Sequence, residues 1–388
     1  MPTLTLIDGF EHQNAVGRGF TGTYEKLFTD VAGTTPTFET GRTGKCIRFS
    51  CTSNTSKVSK ELNSQAVAVF SFYYKINTLP SPTGTYSFFY LFTAPSYNGA
   101  ARIYQQSDGK LLMQSGGNSQ ASSMAVNDNT WHRIDIKVDV STSSWTVDWQ
   151  IDGTAQTQVT NSGSGQTLNY LSLGWGDSIT ATCWMDDFIV SSASGDYPLG
   201  AHYVYALKPN GDYNYNNVGT NVIEDEDGND ISATYTAYSR MNVWPTNNGQ
   251  DRVRQYATGT YFAEVNFEDT SETTIWGVEG VASLFSSYTT ANSATTRIVD
   301  STGATLTDIY AGDMSEQDTH YRRAIISAPG GSWDQTKLNG VRGRVGFATN
   351  VASLPFWNGL MLQYAVGPAA PPAGAAVDPF GMTGFWGA

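Results

Sequence analysis

Two neighbouring runs alternate apolar and polar residues with period two, and no other feature constrains the chain as tightly. In the first, Ile134, Ile136, Val138 and Val140 interleave with Arg133, Asp135, Lys137 and Asp139. In the second, Trp145, Val147, Trp149 and Ile151 interleave with Thr146, Asp148, Gln150 and Asp152. Successive side chains of a strand point to opposite faces, so each run reads as a strand with one oily and one wet face. The Ser141–Ser144 turn joins them into a hairpin, and Asp152-Gly153 supplies the turn that follows. Trp184–Val190 is apolar on both faces apart from Asp186 and Asp187, the pattern of an inner strand in a two-layer sandwich.

Composition extends this reading to the whole chain. Aromatic residues make up 13% and glycine occurs 39 times, which favours strands and turns over long helices. At 388 residues, 40% of them hydrophobic, the chain can fill two cores. A formal charge of −13 repels phosphate backbones and anionic lipid, which argues against nucleic acid and membrane surfaces as partners. The three cysteines, Cys46, Cys51 and Cys183, cannot all pair within one chain and lack zinc-site spacing, so free thiols are expected. No signal-peptide pattern opens the sequence and no apolar run approaches a membrane span, so synthesis in a cytoplasm and no membrane insertion are expected.

In chain order, strands are predicted at 3–10, 44–50, 67–76, 86–92, 101–105 and 110–114, with Asp108-Gly109 as a hairpin turn. Residues 67–76 are apolar on both faces and should form a central strand. Ser191–Gly200 is rich in small and turn-forming residues and marks a domain boundary. Further strands are predicted at 201–207, 261–267, 273–284, 295–299, 320–327, 340–347 and 359–366. The expected fold is all-β: a sandwich over 1–194, a second sandwich over 195–366 and an extended Pro/Ala-rich tail over 367–388, with little helix.

The segments Asn129–Val140 (NTWHRIDIKVDV), Trp145–Thr154 (WTVDWQIDGT), Leu171–Gly176 (LSLGWG) and Met185–Ser192 (MDDFIVSS) together resemble the laminin-G and concanavalin-like jelly roll. Leu6–His12 (LIDGFEH) and Gly41–Ser50 (GRTGKCIRFS) belong to the same pattern, which covers roughly the first half of the chain. It is most similar to the version carried by structural proteins of tailed bacteriophages. The resemblance implies a jelly-roll first domain and a virion subunit in a tail tip, fibre or capsid decoration. Its lectin-like domain would face outward toward a cell-surface glycan. Its partners would be other virion proteins and copies of itself, a trimer among the candidate states. The other reading is a carbohydrate-binding or glucanase-like protein on the same fold.

Candidate chemistry is sparse. Glu264, Asn266 and Glu268 share one face of a predicted strand, a degraded form of the acidic signature of jelly-roll β-glucanases with Asn266 where that family has Asp. Carboxylates four apart on a strand stand about 13 Å apart, too far for a glycosidase pair, so exposed edge carboxylates and no enzyme activity are expected. His12, His132, His202 and His320 are scattered, and His132 reads as a hydrogen-bonded structural imidazole. Asp186 and Asp187 point to opposite faces of an apolar strand. The buried one must either accept loop N–H bonds or contribute to a Ca²⁺ site, the one cofactor this sequence suggests. Glu224–Asp230 offers a second acidic cluster, as a solvated hairpin loop or a cation loop. Beyond the Gly367–Pro379 linker, Phe380, Met382, Phe385 and Trp386 form an apolar cluster, either a free end or an assembly anchor that docks on a neighbouring subunit.

Overall fold

The computed structural model describes residues 2–10, 30–81, 84–94, 99–215, 221–224, 252–255, 262–286, 293–313, 319–347 and 355–368. Strand dominates, and among these residues helix is confined to a 3₁₀ turn, Ser194–Asp196, and the five-residue helix Gln335–Asn339. None of the described helices is long and apolar enough to cross a membrane.

The first sandwich is organised around Thr167–Ser191, a strand of 25 residues that pairs with Lys45–Gln65 along most of its length. Typical strands are about 5–6 residues long, so a strand of this length must bend to stay inside one domain. It bends at irregularities between Leu168 and Tyr170 and between Trp175 and Ala181, where extra residues break the register. Its first part carries Thr85–Ala94 on its free edge, and its last part carries Val67–Ser81. One strand thus belongs to both layers. Beyond Thr85–Ala94 the first layer continues through Gly99–Gln106, Lys110–Ser115 and Asn118–Ala125. Beyond Val67–Ser81 the second continues through the hairpin His132–Asp139 and Ser144–Ile151.

Hairpin register sets Ile134 opposite Ile151, Ile136 opposite Trp149 and Val138 opposite Val147, so the apolar alternation meets across the ladder. All six are buried in a core that also holds Phe70, Phe72, Tyr74, Phe88, Phe89 and Phe188. Phe72 stacks on Phe89 with centroids 5.6 Å apart, and Tyr74 on Phe88 at 4.2 Å. Interlayer aromatic pairs of this kind add about 0.5–1.5 kcal/mol each beyond their buried area. On the wet face, Lys137 pairs with Asp148 at 2.6 Å. Asp135 departs from the alternation, being fully buried: Arg133 Nε donates to it at 2.8 Å and Gly200 N at 3.2 Å. The segment leading to the second half of the chain folds back over this part of the polar face.

The second half forms two further sheets. One contains Tyr203–Leu207, Ile275–Ser286, Thr319–Ile326 and Pro355–Val366, together with the short strands Asn221–Glu224 and Arg252–Gln255. The other contains, in spatial order, Pro209–Tyr215, Phe262–Phe267, Arg342–Phe347, Ser293–Val299 and Thr305–Asp313. They enclose a core that includes Val265, Val278, Ile298, Val345, Leu360 and Leu362. The six-stranded sheet also packs on the first sandwich. Leu4, Ile7, Val69 and Ile189 meet Val204 and Ala365 there, and Val281 and Met361 reach the first core.

A buried ion cluster ties this junction together. Arg323 donates to Asp8 Oδ2 at 3.0 Å, to Glu279 Oε1 at 2.7 Å and to the Ile7 carbonyl at 2.5 Å. Glu279 also accepts Ile7 N at 3.2 Å, and Gln363 accepts Gly9 N at 2.8 Å. Burial pushes the Glu279 carboxyl up, and the Arg323 charge opposes that shift.

Candidate functional site

The outer face of the first layer carries a row of half-buried rings and planar polar groups. Register places Tyr170 beside Phe92, Tyr90 beside Arg102, and Arg102 beside Gln114, so the row runs across four adjacent strands. Arg102, Tyr104 and Gln114 point outward because Ile103, Leu111 and Met113, which alternate with them, point into the core. The row is continuous. The Phe92 ring meets Tyr170 edge-on at 5.6 Å and lies 3.7 Å from Tyr90. The Arg102 guanidinium lies over the Tyr90 ring, 3.8 Å from its centroid, and hydrogen-bonds the Tyr90 hydroxyl. It also donates to the Tyr104 hydroxyl at 3.2 Å, which donates to Gln114 Oε1 at 2.6 Å.

A groove of about 400 Å³ opens at the end of this row, a volume within the range of small-molecule sites. Arg102, Gln114, Trp145, Asn161 and Gln166 line it, with backbone from the 162–164 loop. Trp145 Nε1 donates to the Ser164 carbonyl at 2.9 Å, holding that loop against the indole. Only glycine fits at 163, because a Cβ there would stand 2.3 Å from Trp145 Cε2. Asn118 Nδ2 donates to the Thr160 carbonyl at 2.6 Å, which fixes the neighbouring hairpin to the same wall. Gln166 uses its NH₂ on Ser164 Oγ and the Gly165 carbonyl, at 3.0 and 3.1 Å. No donor among the described residues reaches its buried Oε1. An unmet buried acceptor costs about 1–3 kcal/mol, and a ligand hydroxyl would relieve it.

A second cleft, of about 370 Å³, lies at the junction and is lined by Lys60, Glu61, Asn63, Gln65, Glu279 and Arg323. Burial, reinforced by Arg323, lowers the Lys60 amine to about 8. The Arg323 charge in this cleft is already matched by Asp8 and Glu279.

Sequence-predicted residues fall elsewhere. Asp186 and Asp187 are both fully buried on the second layer, and protein donors reach all four carboxylate oxygens. Asp186 accepts Arg42 N at 2.6 Å and Asp187 N at 2.8 Å. Asp187 pairs with the Arg42 guanidinium and accepts Val204 N at 2.8 Å and Thr43 Oγ1 at 3.1 Å. Burial and the neighbouring Asp187 push Asp186 up to about 8. Of the two readings of this pair, the geometry is that of loop N–H and arginine acceptance. Among the described residues no group of three or more His, Cys, Asp or Glu side chains could hold a metal ion.

Glu264 corrects an expectation. It is 2% exposed on an internal strand, between Pro209–Tyr215 and Arg342–Phe347, not on an open edge. Arg342 donates to it at 3.0 Å and Arg344 Nε at 2.5 Å, so both oxygens are neutralised structurally. Glu268 accepts Lys208 N at 3.1 Å, which makes it a turn staple. His132 lies between Asp128 and Asp152 at 2.9 and 2.7 Å, and His202 between the carbonyls of Gly200 and Asp187 at 2.9 and 2.6 Å. His12, residues 225–230 of the acidic cluster, and Phe380, Met382, Phe385 and Trp386 of the tail lie outside the described residues.

Sequence reasoning missed the outer row altogether. Part of its signal was available: Tyr90 and Phe92 flank the core residue Leu91, Arg102 and Tyr104 flank Ile103, and Gln114 follows Met113, an alternation that sends them to the other face. What could not be read was that four strands bring them side by side.

No protein-family model matches the chain, and no curated protein matches it in sequence. Solved structures similar to it include a sialidase, with TM-score 0.37, 10% identity and coverage of 50% of this chain and 19% of the sialidase. Another is domain 4 of AbnA, a GH43 extracellular arabinanase from Geobacillus stearothermophilus, in complex with arabinotriose. It has TM-score 0.32 and 19% identity, covering 49% of this chain and 92% of that domain. A third is the botulinum neurotoxin type G receptor binding domain, with TM-score 0.34, 10% identity and coverage of 82% and 81%. The chain thus spans less than a fifth of the sialidase, and at these scores none of the three assigns a function to it.

Proposed function

We propose that this protein is a non-catalytic carbohydrate-binding protein whose binding face is the outer row and groove of the first sandwich. The observation that carries this reading is the continuous row from Tyr170 through Phe92, Tyr90, Arg102 and Tyr104 to Gln114, ending in a polar groove. A sugar ring has C–H faces that pack on aromatic rings and hydroxyls that both donate and accept. Half-buried tyrosines flanked by amides and a guanidinium meet both needs. A pre-formed site also loses little conformational entropy on binding, and this row is already held by its own hydrogen bonds.

The segments Asn129–Val140 and Met185–Ser192, which resemble tailed-phage virion proteins, support a setting for this activity. In that setting the protein is a virion subunit that assembles with other virion proteins and presents the face outward for attachment.

Titration calorimetry of the full chain against a panel of oligosaccharides tests the binding reading. The double variant Gln114→Ala/Asn161→Ala should weaken binding by about tenfold or more while leaving the thermal midpoint unchanged, as for contact residues with no core role. Binding that survives in the double variant, or no saccharide binding by the intact protein, would reject it. Antibody labelling of native phage particles tests the setting, and absence of the protein from purified particles would remove it.

A further inference from the structure

We propose that the groove selects saccharides bearing a carboxylate, with Arg102 as the group that pairs with it; this inference rests on the carbohydrate-binding reading above. Arginines of both sandwiches, from Arg42 to Arg344, meet carboxylates: Arg42 meets Asp187, Arg48 Glu39, Arg133 Asp135, Arg297 Asp308, and Arg344 Glu264. Arg102 has no carboxylate partner among the described residues. Its protein acceptors are two neutral phenol oxygens, those of Tyr90 and Tyr104. With 35 acidic against 22 basic side chains in the chain, carboxylates are in excess, yet among the described residues none is placed here.

Geometry adds direction to the missing charge. Stacking on Tyr90 and two hydrogen bonds hold the guanidinium flat, so its orientation is set before a ligand arrives. Two of its five N–H groups are used, which leaves three to donate, and a planar fork of this kind matches a carboxylate with two parallel hydrogen bonds. Gly99 keeps the approach open: a Cβ at that position would stand 2.9 Å from Arg102 Nε and 2.7 Å from the Tyr90 ring. Around this cation, Gln114 accepts from Tyr104 through Oε1 and has its NH₂ available to a ligand oxygen. Gln166 contributes its unmet Oε1 for a ligand hydroxyl. One anion-binding fork, one amide donor and one acceptor are the complement of a sugar residue whose carboxylate sits beside ring hydroxyls, as in a uronate or a nonulosonate. The net charge of −13 opposes an acidic ligand at long range, so the selection comes from this short-range pairing.

Matched ligand pairs on the full chain test this: trigalacturonate against its fully methyl-esterified form, and sialyllactose against lactose, by titration calorimetry. The carboxylated member of at least one pair should bind about tenfold tighter, as expected for a charge-assisted bidentate contact. Arg102→Gln should abolish that preference, so that the carboxylated and neutral members of the pair bind with equal affinity, and Arg102→Lys should restore part of it. Unaltered thermal midpoints in both variants exclude a folding defect. Neutral and acidic members binding equally well would overturn the carboxylate inference and leave the carbohydrate reading standing. Sulfated saccharides outcompeting carboxylated ones would overturn it too. If no saccharide binds, the carbohydrate reading fails and takes this inference with it.

Discussion

Arg323 of the second half of the chain donates to Asp8 of the first strand at 3.0 Å, although the two residues are 315 positions apart. Their side chains are only 9% and 4% exposed, and Glu279 completes the cluster. Removing one member of a buried ion cluster leaves the others uncompensated at a cost of about 3–5 kcal/mol. Arg323→Ala should therefore lower the stability of the whole chain by that amount in chemical denaturation. A loss confined to the second half, with the first sandwich unfolding at its original midpoint, would show that the junction does not couple the two.

Glu264 offers a direct contrast between sequence and structure. As an exposed edge carboxylate, Glu264→Gln would change stability by a few tenths of a kcal/mol at most. Buried between Arg342 and Arg344, it should instead cost several kcal/mol, on the order of 3, because two guanidinium groups lose their counter-charge. Denaturant midpoints of the variant and the parent separate these outcomes.

His132 should make stability depend on pH near neutrality. Burial alone would lower its pKa, but hydrogen bonds to Asp152 and Asp128 raise it above the ordinary 6.5. A raised folded value means that its contribution is fully present below about pH 6.5 and is lost as the pH rises through the folded value. The same bond lowers Asp128 to about 2, so its contribution is present above 3.8 and is lost as the pH falls through about 2. Both carboxylates are partly exposed, so the effect should be about 1 kcal/mol or less. The urea midpoint of the parent should exceed that of His132→Gln at pH 6, and the gap should close toward pH 9. An equal gap at both values would contradict the charge-pairing account.

The three cysteines are free and buried, and burial pushes Cys46 up to about 12 and Cys183 well above the usual thiol range. The thiolate is the reactive species, so a thiol reagent at pH 8 should modify none of them in the folded protein and all three after unfolding. Rapid labelling of native protein would place at least one thiol at an accessible site.

Asp187 carries a further side-chain test. Its oxygens are occupied by Arg42, Thr43 and Val204, so millimolar calcium or a chelator should leave the thermal midpoint unchanged. Asp187→Ala should cost about 3–5 kcal/mol, because it strands the Arg42 guanidinium in a largely buried position. A calcium-dependent rise in the midpoint that disappears in Asp187→Ala would reinstate a cation at this pair.

Period-two alternation is a local property, and residues such as Ile134 to Ile151 therefore determine by themselves that the chain is β and which faces build the cores. The apolar strand at 67–76 likewise declares itself central, because a strand apolar on both faces has to be covered on both. Polar faces carry no such information. Asp135 reads as a solvent-facing residue and is buried under the segment around Gly200, Glu264 reads as an edge carboxylate and is clamped by two arginines, and Arg102 reads as one charge among many. Their neighbours come from strands tens or hundreds of residues away. Burial and charge pairing are set by that long-range register, so only the tertiary structure could decide which polar residues hold the fold and which one faces a groove with no carboxylate partner among the described residues.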